Sequence, residues 1–372
     1  MTQVFASPST YIQGPGELFN SAQYIKKYGQ KVLLLSDPTV LKIVGNQFID
    51  YLKKNDFDVN LATFEGEASE SEINRVTEIG KQSQDQIIIG LGGGKTADSA
   101  KAIADNLDIA AMIAPTIAST DAPCSRLSVI YTDDGQFDHY RFYKKNPEIV
   151  LLDTKIIAGA PVHLLISGIA DALATNVEAI DVRRANADNM LGAKQTIVAG
   201  SIGQACEDNL FEYAELAVAA NRAHVATEAL NHIVEANTLL SGLGFESGGL
   251  AAAHAIHNGF TALSGEIHHL THGEKVAYGT LVELILNGSD QKRFEKFLKF
   301  DLKLGLPTTL ARLHLADASD EDLMKVATQA CDENDTMKYM PTDITPEDVF
   351  AAIKAVDEYS RDFQGRSVME LD

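Results

Sequence analysis

Seven of the ten histidines fall between positions 224 and 272: His224, His232, His254, His257, His268, His269 and His272. Imidazoles serve in proton transfer and metal ligation, so their settings matter. In the segment 248–259 a helical pattern carries His254 and His257 three residues apart, on one face. The surrounding alanines and glycines would let another backbone or a cofactor pack close. His272 stands before Gly273-Glu274-Lys275, where a loop enters a helix. Asp171 lies in the apolar helical segment 164–174, and a lone buried carboxylate is costly unless something compensates it. A divalent metal would do so. One carboxylate and two imidazoles also leave a coordination position open, as a catalytic Zn²⁺ requires. Separations of 83 and 18 residues are not a local metal motif. On spacing alone, hydrogen-bonded core histidines are therefore the commoner reading, and His268 and His269 compete with His272 for the third place.

A second candidate is the glycine run Gly92-Gly93-Gly94-Lys95-Thr96-Ala97-Asp98, between a strand and a helix. Glycines there let backbone N–H groups approach a pyrophosphate, and the helix start adds positive potential. Ile89 excludes a Walker A loop, and Lys95 stands where the usual dinucleotide fingerprint needs a third glycine. A tight turn that needs glycine only for its dihedrals is the plainer alternative. The loop 115–123 leaves the end of another strand and offers Thr116, Ser119 and Asp121, either to a ligand or as ordinary turn residues. Asp37, before Pro38, fits either an adenosine ribose or a helix cap. As a ribose acceptor it would repel the extra phosphate of NADP and favour NAD.

These residues need a scaffold. Strand-like runs at 31–36, 59–64, 86–90 and 109–114 alternate with helical patterns to about 55, at 69–84 and at 95–106. That alternation predicts βαβ units and a parallel sheet. Three more strands follow near 128–132, 138–143 and 148–152, the first two forming a hairpin around Asp134-Gly135. From about residue 161 the chain reads as helices at 163–181, 194–220, 222–240, 248–263, 274–286, 289–302, 320–332 and 346–360. The expected organisation is an α/β N-terminal dinucleotide-binding domain over 1–160 and an all-α metal-binding domain over 161–372.

The net charge of −21, from 31 basic and 52 acidic residues, argues against nucleic acid and anionic membranes as main partners. Three cysteines without a CxxC pair argue against a disulfide framework or a cysteine zinc site. The first residues lack a basic stretch followed by an apolar run, so no signal peptide is expected. No apolar run approaches the roughly 20 residues of a membrane span. A soluble, cytoplasmic protein is the expectation.

Together, residues 92–98, the loop 115–123, the stretch from Glu246 to Gly259 and His272-Gly273-Glu274-Lys275-Val276-Ala277 closely resemble the iron-containing, or group III, alcohol dehydrogenase family. The resemblance runs through essentially the whole chain, and 248–259, which looks like the family's metal-helix signature, is its most specific part. It implies a dehydroquinate synthase-like architecture with a deep cleft. It implies a metal on Asp171, His254 and His272, commonly Zn²⁺, with Fe²⁺ or Mn²⁺ as alternatives. It implies NAD on Gly92, Gly93, Gly94, Lys95, Asp98, Thr116, Ser119, Ser125, Leu127 and Tyr131, with Asp37 at the adenosine end. Asp121 would lie near the nicotinamide and the substrate. Iron-binding members usually add a further histidine ligand, and His257 is better read as a supporting group here. Homo-oligomers, often octamers, are implied too. The implied reaction is NAD-dependent oxidation of glycerol, or a related vicinal diol, at C2. Alternatives are another small diol or a 2-hydroxy acid, a dehydroquinate-synthase-like lyase, or an NAD-binding sensor without turnover. Arg126 and Lys275 make no basic cluster for a substrate phosphate, which disfavours the lyase.

Overall fold

The computed structural model describes residues 1–369. The chain forms two units, one of Ala6–Leu165 with Tyr213–Leu243, the other of Met1–Phe5, Ile166–Glu212 and the residues from Gly244 on. The single boundary expected near residue 160 is thus replaced by four crossings. The physical reason is that the helical segment 213–243 packs with the sheet: Gln13 Nε2 donates to the Asn231 carbonyl across 2.9 Å, and Tyr11 Oη lies 3.2 Å from Thr238 Oγ1.

The sheet unit contains β1 (Thr10–Gly14), β2 (Lys31–Ser36), β3 (Asp58–Thr63), β4 (Ile87–Gly92), β5 (Ala110–Pro115), β6 (Leu127–Tyr131), β7 (Phe137–Phe142) and β8 (Ile149–Asp153). Its main helices are α1 (Asn46–Lys54), α2 (Glu70–Ser83) and α3 (Gly94–Leu107). The strand order β1-β8-β5-β4-β2-β3 is parallel throughout. The runs KVLLLS and IIIGLG are buried along nearly their full length, as strands covered on both faces require. From β2 the chain builds outward to β3 on one side and through β4, β5 and β8 on the other, so the order reverses between β2 and β4. Open α/β sheets bind ligands outside the carboxyl ends of the strands at such a switch point. Here those ends are Ser36-Asp37 and Gly92-Gly93. β6 and β7 form the expected antiparallel hairpin, turning at Gly135 with φ 83°. β1 carries no strand signal in its half-buried, mixed sequence TYIQG, and its partner β8 draws it onto the edge.

The other unit is helical. It holds most of α4 (Val162–Arg184) and the first part of α5 (Ile197–Arg222). Past α6 (Glu228–Glu235) and the first three residues of α7 (Ser241–Gly248), which belong to the sheet unit, it continues with the rest of α7, α8 (Ala252–Gly259), α9 (His272–Leu286), α10 (Gln291–Leu304), α11 (Asp320–Ala330) and α12 (Pro346–Met369). The expected helix over 248–263 is broken. Gly249 takes φ 104°, a left-handed conformation that interrupts α7 and lets α8 start afresh at Ala252. Close approach follows from small residues: a Cβ on Gly273 would sit 1.8 Å from the Ser167 carbonyl oxygen of α4. Ala174, Ala253 and Val276 then pack together from α4, α8 and α9. Among the described residues no helix is long and apolar enough to cross a membrane.

Candidate active site

α4 carries Asp171, which is fully buried. Two turns further along the same face it carries Glu178, also fully buried. α8 carries His254, and α9 opens with His272. The start of α9 is set by a capping box in which Glu274 N donates to Thr271 Oγ1 and Thr271 N to the Glu274 carboxylate. Asp171 Oδ1 lies 3.4 Å from His254 Nε2 and 3.1 Å from His272 Nε2. Among the described residues these three are the group whose ligand atoms all lie within 4.8 Å of one another. His268 and His269 are elsewhere: His268 Nε2 bonds the Leu263 carbonyl, and His269 Nδ1 meets Glu266.

The hydrogen bonds around the two rings decide what faces Asp171. Glu178 Oε1 accepts from the N–H groups of Ala251 and His254, at 2.9 and 3.1 Å. Its Oε2 accepts from His254 Nδ1 at 2.7 Å. A carboxylate so engaged is an acceptor, so His254 carries its proton on Nδ1. For His272, Asn258 Nδ2 donates to Asp335 Oδ2 at 3.0 Å, which turns Asn258 Oδ1 toward His257 Nδ1, also at 3.0 Å. His257 is thereby protonated on Nδ1, and its bare Nε2 accepts from His272 Nδ1 across 3.1 Å. Both Nε2 lone pairs therefore point at a carboxylate oxygen. Three acceptors converging in a buried place repel one another unless a cation joins them, so the donor set fits a divalent metal. Without one, protons must supply the charge. Burial opposes a charged His254, but Glu178 and Asp171 outweigh it and hold its pKa well above the ordinary value. Burial likewise opposes a charged Asp171, yet His272 and His254 hold it below the usual carboxylate range.

The sheet unit presents a different construction. A cavity of about 1050 Å³ opens at the switch point, lined in part by Asp37, Gly93, Gly94, Lys95 and Thr116, with Val40, Ile43, Phe64 and Ile117 as apolar wall. Gly92 must be glycine because a Cβ there would lie 2.6 Å from Thr96 Oγ1. α3 starts at Gly94 with no side chain capping it, an arrangement that suits an anion. Of the two roles that its sequence leaves open, Asp37 fills the cap: Oδ1 accepts from Thr39 N and Val40 N of the short helix at 38–40, and the side chain also lines the cavity. Lys95 Nζ is held 2.5 Å from Glu67 Oε1 and 5.8 Å from the centre of the Tyr131 ring. Asp121 accepts from Ser241 Oγ at 2.7 Å, and Ser119 is buried close by in the same loop.

Asp98, Ser125 and Leu127 meet around a group that no motif singled out. The buried Lys101 ammonium lies 2.9 Å from Asp98, donates to the carbonyls of Ala122 and Leu127, and reaches Ser125 Oγ at 3.5 Å. Burial raises the Asp98 carboxyl despite the pull of Lys101. A lysine three residues after an aspartate in an apolar helix was the available signal. Glu178 had one too, as a second acid on the apolar face of α4. Asn258 and Asp335 had none, because residues 77 apart in the chain meet only in the fold.

Residues 8–154 match the family described as iron-containing alcohol dehydrogenase. The chain is 47% identical over 357 residues to the glycerol dehydrogenase of Citrobacter freundii, covering 96% of this chain and 98% of that protein. It is 42% identical over 366 residues to the glycolaldehyde reductase of Halobacterium salinarum, covering 98% and 100%. The crystal structure of glycerol dehydrogenase from Schizosaccharomyces pombe matches with a TM-score of 0.95 at 44% identity, covering 98% of this chain and 93% of that one.

Proposed function

The chain belongs to the iron-containing alcohol dehydrogenase family, and on that premise we propose that it oxidises glycerol at C2 to dihydroxyacetone, with NAD as hydride acceptor. The observation that carries the chemistry is the convergence of Asp171, His254 and His272 on one buried point. Zinc is the metal we assign, since one carboxylate and two imidazoles suit it and leave room for substrate. When bound, it supplies a Lewis acid that polarises the substrate hydroxyl and lowers its pKa.

The protein's own groups do the rest. The bare amides at the start of α3 and the Lys95 ammonium hold the pyrophosphate. Asp37 accepts from the adenosine ribose, and its charge disfavours the extra phosphate of NADP. The hydride leaves C2 with its electron pair for the nicotinamide, and the hydroxyl proton passes by way of Asp121 to solvent water. Asp121, oriented by Ser241, is the group we assign to receive the substrate's hydroxyl hydrogen bond. We further propose a zinc-binding homo-oligomer working in the cytoplasm.

The test is NADH formation by the purified protein with glycerol, 1,2-propanediol, 2,3-butanediol and 2-hydroxy acids, and NADH consumption with glycolaldehyde. Glycerol giving the highest kcat/KM is the expected outcome. A clear preference for glycolaldehyde reduction would move the assignment toward the chemistry named for the Halobacterium salinarum relative, with the same residues in the same roles.

A further inference from the structure

α8 has a poor beginning. Its first N–H groups lack a side-chain cap from Ala251, whose own backbone at φ −142° and ψ −120° is neither helical nor extended, and the helix starts in a fully buried place. Two acids from neighbouring helices fill that gap: Glu178 of α4 takes the amides of Ala251 and His254, and Glu283 of α9 takes that of Ala253 at 2.6 Å. Only Glu178 goes on to bond a ring nitrogen. The other imidazole is reached from a different direction, through Asp335, Asn258 and His257.

We infer that Glu178 on one side, and Asn258 with His257 and Asp335 on the other, are positioning residues that hold His254 and His272 in the Nδ1-protonated tautomer and so aim both Nε2 lone pairs at the point occupied by the metal. The inference rests on the metal reading given above. Each ring has its own relay, and the relays share no residue. Outer hydrogen-bond partners of this kind fix ring orientation and raise ligand basicity. Glu283 is the internal control, since it anchors the same helix end but touches neither ring.

The experiment compares zinc affinity of the full-length protein and its E178Q, N258A and E283Q variants by competition with a chromogenic chelator. Unfolding temperature is followed with and without zinc, so the readouts do not depend on turnover. Affinity is expected to fall roughly 10–100-fold in E178Q and about tenfold in N258A, with the zinc-induced rise in unfolding temperature shrinking in step. E283Q should stay within about threefold of the parent protein. Parent-like zinc affinity in both E178Q and N258A would overturn the inference. So would an E283Q loss equal to that of E178Q, because helix anchoring alone would then explain the effect. If the parent protein itself takes up no zinc, the metal reading fails and the relays fail with it. Should E178Q not fold, E178D serves instead: it keeps the charge but shortens the reach by one methylene, and undiminished affinity there counts against the relay.

Discussion

The two halves of the chemistry are built by opposite means. The proposed metal cluster is made of side chains on three helices, Asp171 and His254 buried and His272 half-buried, with the two imidazoles each aimed by a hydrogen bond from behind. The proposed nucleotide cradle is made largely of backbone, at the open carboxyl ends of β2 and β4, where the need is for side chains to be missing. The contrast separates the mutations that matter. At the first site, removing a side chain is expected to destroy function; at the second, adding one is.

The largest effect is expected from D171A and H254A. Losing a Lewis acid removes several kcal/mol of transition-state stabilisation, so kcat/KM should drop at least about a thousandfold. NAD affinity, measured by fluorescence titration, should change only a few-fold. Comparable losses in both quantities would break the proposed separation of the two sites.

G93V is the converse. Its Cβ would stand 3.2 Å from the flexible tip of Ile117, so the chain should fold, but the branches would fill the space meant for the pyrophosphate. KM for NAD should rise roughly tenfold or more with zinc content unchanged, an effect of about 1.4 kcal/mol. D37A sharpens the comparison, because this cradle side chain is charged. Preference for NAD over NADP should narrow by about tenfold, and loss of the cap should cost about 1 kcal/mol of stability.

An effect with no bearing on turnover concerns stability alone. Asp301 in α10 is as buried as Asp171, but neither of its oxygens has a hydrogen-bond partner among the described residues. Burial raises its pKa well above the ordinary value. An unfolded chain ionises this group near pH 3.9 while the folded one stays protonated, so the unfolded state holds fewer protons and stability falls as pH rises. D301L removes that slope. It should stabilise the protein by about 1–3 kcal/mol near pH 8 and by less near pH 4, as read by thermal unfolding. Equal unfolding temperatures at the higher pH would show that Asp301 is compensated after all.

Legibility from sequence followed the same division. The parallel sheet was readable because Lys31–Ser36 and Ile87–Gly92 are continuous apolar runs, and the glycine loop because it joins a strand to a helix. Asp171 stood out as an acid in an apolar helix. Its partners His254 and His272 did not follow from spacing, since 83 and 18 residues of chain separate groups that only α4, α8 and α9 bring together; they came through the family resemblance. Edge strand β1 and the regrouping of 213–243 depend on long-range partners such as β8 and Gln13, for which no local pattern exists. The break at Gly249 was available in principle, because a glycine pair ahead of a histidine helix invites a positive φ.

The most direct test of the central claim is to strip the protein of metal with a chelator, confirm the loss by elemental analysis, and add zinc back while following NADH formation from glycerol. Activity should vanish and return as one zinc per chain is bound, while D171A stays inactive and takes up little zinc. Undiminished turnover of the metal-free protein would contradict the claim that Asp171, His254 and His272 act by holding a metal.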